Sequence, residues 1–117
     1  MRNAGRRRRI MRGHRDRTLM CRIFIEQRDG GKTWVPYKTL IGYGMGNRVV
    51  VGSQGEQTYC SRAFATLGAA TEAAEQAAWD IIQIKFPHVR RSEVDWHVMT
   101  ESVGGFVPVT GDRRAWR

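Results

Sequence analysis

From about residue 20 onward, apolar and polar side chains follow two distinct periods along this chain. Between Met20 and Gln27, Cys21, Ile23 and Ile25 alternate with Arg22, Phe24 and Glu26. That is the period-two pattern of a strand with one face buried. Asp29-Gly30-Gly31 follows as a turn, and Trp34 to Ile41 reads as the return strand. Pro36 suggests that this strand lies at an edge, because proline has no N–H to give to a ladder. Two short strands come next, at Arg48 to Val51 and Gln57 to Arg62, between glycine-rich connections.

The period then changes to that of a helix. Thr66 is a candidate N-cap, and Leu67, Ala70, Ala74, Ala77, Ala78 and Ile81 fall on one helical face. Trp79, Ile82, Ile84 and Phe86 enlarge the apolar side towards Pro87, which ends the helix. Val94, Trp96 and Val98 then alternate with Asp95, His97 and Met99, and after Gly104-Gly105 a last strand runs from Phe106 to Val109. The order is ββββαββ. The short turns predict an antiparallel α+β sheet of five to six strands, covered on one face by a single helix.

Charge divides the chain differently. Residues 1–17 carry eight arginines against Asp16, a balance of +7, and the remainder adds only +2 to reach the net +9. Residues 1–18 therefore read as a disordered arginine-rich arm, residues 19–110 as one domain and residues 111–117 as a basic tail. Guanidinium groups pair bidentately with phosphate and release counterions when they do so. Arg6, Arg7, Arg8, Arg9, Arg12, Arg15 and Arg17 are thus candidate contacts to nucleic acid. Strand alternation sets Arg22, Phe24 and Arg28 opposite the helix, with Lys38, Arg48, Arg62, Trp34 and Tyr37 as neighbours. Cations interleaved with aromatic rings suit phosphate contact and base stacking. Arg113, Arg114 and Trp116 repeat that chemistry at small scale in the tail.

No pattern for catalysis stands out. Cys21, Cys60, His14, His88 and His97 are the Cys and His residues, and no two have the short paired spacing of a zinc site. Both cysteines read as buried free thiols of a reducing, cytoplasmic setting. Gly42-Tyr43-Gly44-Met45-Gly46 precedes a strand, whereas a phosphate-cradling loop opens a helix. The apolar run after the arm is short and broken by Arg22, so no membrane segment is expected. The expectation is a non-enzymatic binding protein without metal or cofactor.

Two resemblances add to this reading. Met20 to Phe86, with its Glu72-Ala73-Ala74-Glu75-Gln76-Ala77-Ala78 run, resembles the βββα half of a double-stranded-RNA-binding domain. The helix plus the last hairpin, on to Gly111-Asp112-Arg113 and Trp116, is similar in plan to some small phage anti-CRISPR proteins. The first resemblance implies RNA contact. The second implies a phage or mobile-element accessory factor that engages a nucleoprotein effector, or a protein inhibitor acting on a host defence effector by protein–protein contact.

Overall fold

A computed structural model describes residues 18–45, 48–50, 55–102 and 105–117. The strand predicted after the arm is β1, Leu19–Arg28. Leu19, Cys21, Ile23 and Ile25 are all buried, as the alternation requires, and Arg22, Phe24 and Glu26 are only partly so. At the turn, Asp29, Gly30 and Gly31 all take positive φ, and the Gly31 and Lys32 N–H groups both donate to the Arg28 carbonyl at 3.0 Å. Aspartate tolerates the left-handed region, and Thr33 Oγ1 anchors it by donating to Asp29 Oδ2 at 3.0 Å.

The chain returns as β2, Thr33–Met45, antiparallel to β1. Pairing passes from Phe24 with Lys38 to Glu26 with Val35, so β2 carries one extra residue at Pro36–Tyr37. This bulge corrects the expectation from Pro36. β2 is an interior strand, flanked on its far side by β3, Arg48–Val50, and β4, Glu56–Tyr59. Pro36 falls between the Trp34–Phe64 bridge and the bond from the Cys60 N–H to the Tyr37 carbonyl, where no ladder partner asks it for a proton.

Helix α1 spans Leu67–Lys85, and Thr66 Oγ1 accepts from the Ala69 N–H at 3.0 Å as its N-cap. Ala70, Ala74, Ala78 and Ile82 form its fully inward stripe, packed on Cys21, Ile23, Ile25 and Ile41 of the sheet. Alanine at the first three positions brings the helix backbone close to the strands. The stripe is rotated from the predicted one: Ile82, not Ile81, is its last buried member, Ala77 is exposed, and Ile84 is 81% exposed. The helix ends before Phe86, whose N–H donates to the Ile82 carbonyl and whose ring meets Tyr43 edge-on at 5.7 Å.

β5, Asp95–Ser102, enters the sheet beside β1, and β6, Gly105–Pro108, pairs antiparallel with β5. The sheet runs β3-β2-β1-β5-β6, with β4 also on β2. It is mixed, not antiparallel throughout, because β1 and β5 run parallel with Ile23 opposite Val98. The short-turn argument governs the consecutive pairs β1–β2, β2–β3 and β5–β6, which are antiparallel. Between β4 and β5 the chain crosses the sheet through the 19 residues of α1, and such a crossover delivers a strand in the original direction. Among the described residues no helix is long and apolar enough to cross a membrane.

Candidate functional site

α1 covers one face of the sheet, and among the described residues no helix lies over the other. Residues directly paired across strands share a face, so the registers define what is displayed there. Phe24 lies opposite Lys38 on β2 and Met99 on β5, Lys38 lies opposite Tyr59 on β4, and Glu101 lies opposite Phe106 on β6. The bulge turns Tyr37 to the same side as Lys38. Three rings consequently converge: Phe24 meets Phe106 edge-on with centroids 5.2 Å apart, and Tyr37 lies 5.7 Å from Phe106. Lys38 Nζ stands 4.9 Å from the Phe24 centroid, within cation–π range. Tyr59, 71% exposed, extends the platform to the β4 edge, where Gln57 Nε2 donates to its hydroxyl.

The electrostatics of this face are mixed. Arg22 and His97 are paired across β1 and β5, and His97 Nε2 lies 3.0 Å from Asp95 Oδ2. Arg28 Nε donates to Glu26 Oε1 at the end of β1. Burial raises the Tyr37 hydroxyl above its ordinary pKa, and the nearby carboxylates of Glu26 and Glu101 push it the same way. The phenol is therefore a neutral hydrogen-bond donor at physiological pH.

Of the residues singled out from sequence, the structure brings Arg22, Phe24 and Lys38 onto this face, with Arg28 at its margin. Trp34 is on the opposite side, packed against the core beneath α1, because the bulge separates its alternation from that of Lys38. Arg6, Arg7, Arg8, Arg9, Arg12, Arg15 and Arg17 lie outside the described residues, as does the side chain of Arg48. Phe106 and Tyr59 were missed. Their strands have four residues each, too few for alternation alone to assign a face.

The cysteines divide. Cys21 is fully buried, but Cys60 follows β4 and is exposed, which corrects the reading of two buried thiols. β1 and β2 separate β4 from the strand carrying His97, so the sheet keeps Cys60 apart from that imidazole. Among the described residues, no group of three or more His, Cys, Asp and Glu side chains could hold a metal ion.

The tail forms a short 3-10 turn, Arg113–Trp116, against the helix rather than a loose end. Arg113 grips Glu75 bidentately, Nη1 to Oε1 at 2.9 Å and Nη2 to Oε2 at 2.7 Å. Arg114 Nε and Nη2 pair with Asp112, which lowers the Asp112 pKa through those hydrogen bonds. Trp116 packs on the core, and its backbone comes so close to α1 that a Cβ at Gly68 would sit 3.3 Å from it, a tight contact that the absence of a side chain there relieves. Glu75 is 8% exposed, and removing its partner strands a charge. Arg113→Ala is expected to lower stability by about 1–3 kcal/mol, less than for a wholly buried pair because the guanidinium is half exposed. Adding Glu75→Gln should restore part of that loss in urea unfolding. If the double variant is no more stable than the single one, the stranded charge is not the cause.

Comparison of the chain with protein-family models, with curated proteins and with solved structures finds no match.

Proposed function

We propose that this chain is a non-catalytic binding protein that engages nucleic acid, free or within a nucleoprotein complex, through the uncovered face of its sheet. The observation that carries this reading is the convergence of Phe24, Tyr37 and Phe106 with Lys38 on a sheet face that, among the described residues, no helix covers. Rings on an open sheet accept unpaired bases by stacking, and a lysine among them meets the phosphate between bases. The eight arginines of residues 1–17 supply sequence-independent, long-range attraction to the same polyanion.

The test is a salt titration of binding to labelled single- and double-stranded DNA and RNA. It compares the full chain, a chain beginning at Thr18, and Phe24→Ala in both. The full chain is expected to bind with an affinity that falls steeply with salt, and loss of residues 1–17 removes most of that slope. Phe24→Ala then costs about 1–3 kcal/mol of the remaining affinity for single strands, the worth of one stacked base. Absence of binding by both chains at physiological salt would falsify the reading.

A second reading is a protein inhibitor of the anti-CRISPR type, in which the same rings anchor a protein partner. It is favoured by Glu26, Asp95 and Glu101 on this face, which repel phosphate but suit the basic, nucleic-acid-binding surface of an effector. Inhibition by that route survives removal of residues 1–17 and is lost with Phe24→Ala.

A further inference from the structure

A ring accepts any base by stacking and a lysine meets any phosphate, so preference among bases comes from groups that reach their edges. The aromatic face holds two such groups, and both border the Phe106 ring. Glu101 stands directly opposite Phe106 in the β5–β6 register, and the Tyr37 ring lies 5.7 Å from that of Phe106. The carboxylates of Glu26 and Glu101 differ in what they already hold. Arg28 is paired with Glu26, whereas among the described residues no cation is paired with Glu101, which is exposed.

An ionised carboxylate offers acceptors only, two oxygens side by side. Tyr37 offers a donor: burial, with the charges of Glu26 and Glu101 adding to it, keeps its hydroxyl protonated. The face thus presents a donor and a pair of acceptors beside a stacking surface. Guanine carries the complement on its Watson–Crick edge, with O6 as an acceptor followed by N1–H and the 2-amino group as neighbouring donors. Adenine and cytosine each bring one amino group beside a ring nitrogen whose lone pair would face the second carboxylate oxygen. Thymine and uracil set N3–H between two carbonyls that the carboxylate repels.

We propose that this face selects guanine in a single strand, with the base stacked on Phe106, N1–H and the 2-amino group donating to the Glu101 carboxylate, and O6 accepting from the Tyr37 hydroxyl. This selectivity, which rests on nucleic-acid binding as proposed above, gives Glu101 a purpose. An anionic side chain on a phosphate-binding face lowers affinity for every strand alike, and offsets that loss only where a base donates to it.

The experiment measures binding of the full chain, at one fixed salt concentration, to fluorescein-labelled strands of DNA and RNA. Each strand is thymine or uracil throughout, except for a central guanine, inosine, adenine or cytosine. Ratios between strands cancel the attraction of the arginines of residues 1–17, which is the same for all. The central guanine is expected to tighten binding about tenfold over the uniform strand, within the range that a bidentate base contact carries. Inosine, which lacks the 2-amino group, keeps only part of that gain. Glu101→Gln, at an exposed position, brings the guanine ratio close to one, because its amide turns a donor towards a donor, and Tyr37→Phe lowers the ratio by less. Strands that bind without a guanine preference overturn the selectivity and leave the nucleic-acid reading in place. So does a guanine preference that survives Glu101→Gln. Failure of every strand to bind removes the reading itself, and the selectivity with it.

Discussion

Ile23→Ala is expected to lower the stability of the folded chain by about 2–5 kcal/mol, the range for removing a large aliphatic side chain from a rigid core. Ile23 is wholly buried at the centre of β1, with Thr39 of β2 on one side and Val98 of β5 on the other. α1 lies over it, held close by alanines that cannot move in to fill the cavity. A domain of this size has a total stability of about 5–15 kcal/mol, so this one substitution removes a large share of it. Phe24→Ala, one residue along on the opposite face, serves as the control. Its ring is only partly buried and touches Phe106, so its removal costs less stability and is felt in binding instead. Chemical unfolding of both variants checks the contrast. Equal losses would mean that the two faces of β1 are not divided into core and display.

That division was legible in the sequence of β1, because the six residues from Cys21 to Glu26 alternate in a way that shows which side chains share a face. Thr66 as N-cap and Pro87 as stop were legible for a similar reason: each acts on the chain within a turn of itself and needs no tertiary partner. The helix face was harder. An alanine-rich helix offers small apolar residues nearly all round, so periodicity could not separate Ala77 and Ile81 from Ala78 and Ile82, and contact with the sheet decided it.

What the sequence could not convey was pairing between distant segments. Whether β5 joins an outer edge or inserts beside β1 depends on where α1 delivers it, and the parallel register follows from that placement. The candidate site inherits the same difficulty. Phe106 reaches Phe24 only because β6 follows β5 to that side of the sheet, and Trp34 leaves the display face only because the bulge at Pro36–Tyr37 shifts the alternation of β2 by one residue. Arg113 looked like one more tail cation, since its partner Glu75 lies 38 residues away in sequence. The arginines of the arm keep the reading that charge alone supports.

Stability is expected to fall steeply between pH 9 and 12, with Cys21 as a principal cause. Burial pushes its thiol up from 9.0 to about 12, and the nearby carboxylate of Glu75 adds to the shift. Below pH 9 the thiol is protonated in both folded and unfolded chains and contributes no pH dependence. Above it the unfolded chain releases a proton that the folded chain retains, so the equilibrium moves towards unfolding as pH rises. At pH 11 the loss is about 2–3 kcal/mol, from two pH units at 1.36 kcal/mol each. The raised Tyr37 hydroxyl acts in the same direction once pH exceeds its ordinary value of 10.0. Cys21→Ala removes the thiol contribution and leaves that of Tyr37, so the variant, although weaker at pH 7 for lack of the sulfur, should show a shallower alkaline decline. Iodoacetamide at pH 8 reports the same asymmetry by mass, with exposed Cys60 alkylated in the folded chain and Cys21 only after unfolding. Parallel declines of the two proteins between pH 8 and 11 would assign the alkaline transition to other groups. Rapid alkylation of both thiols in the folded state would show that β1 opens far more readily than its packing implies.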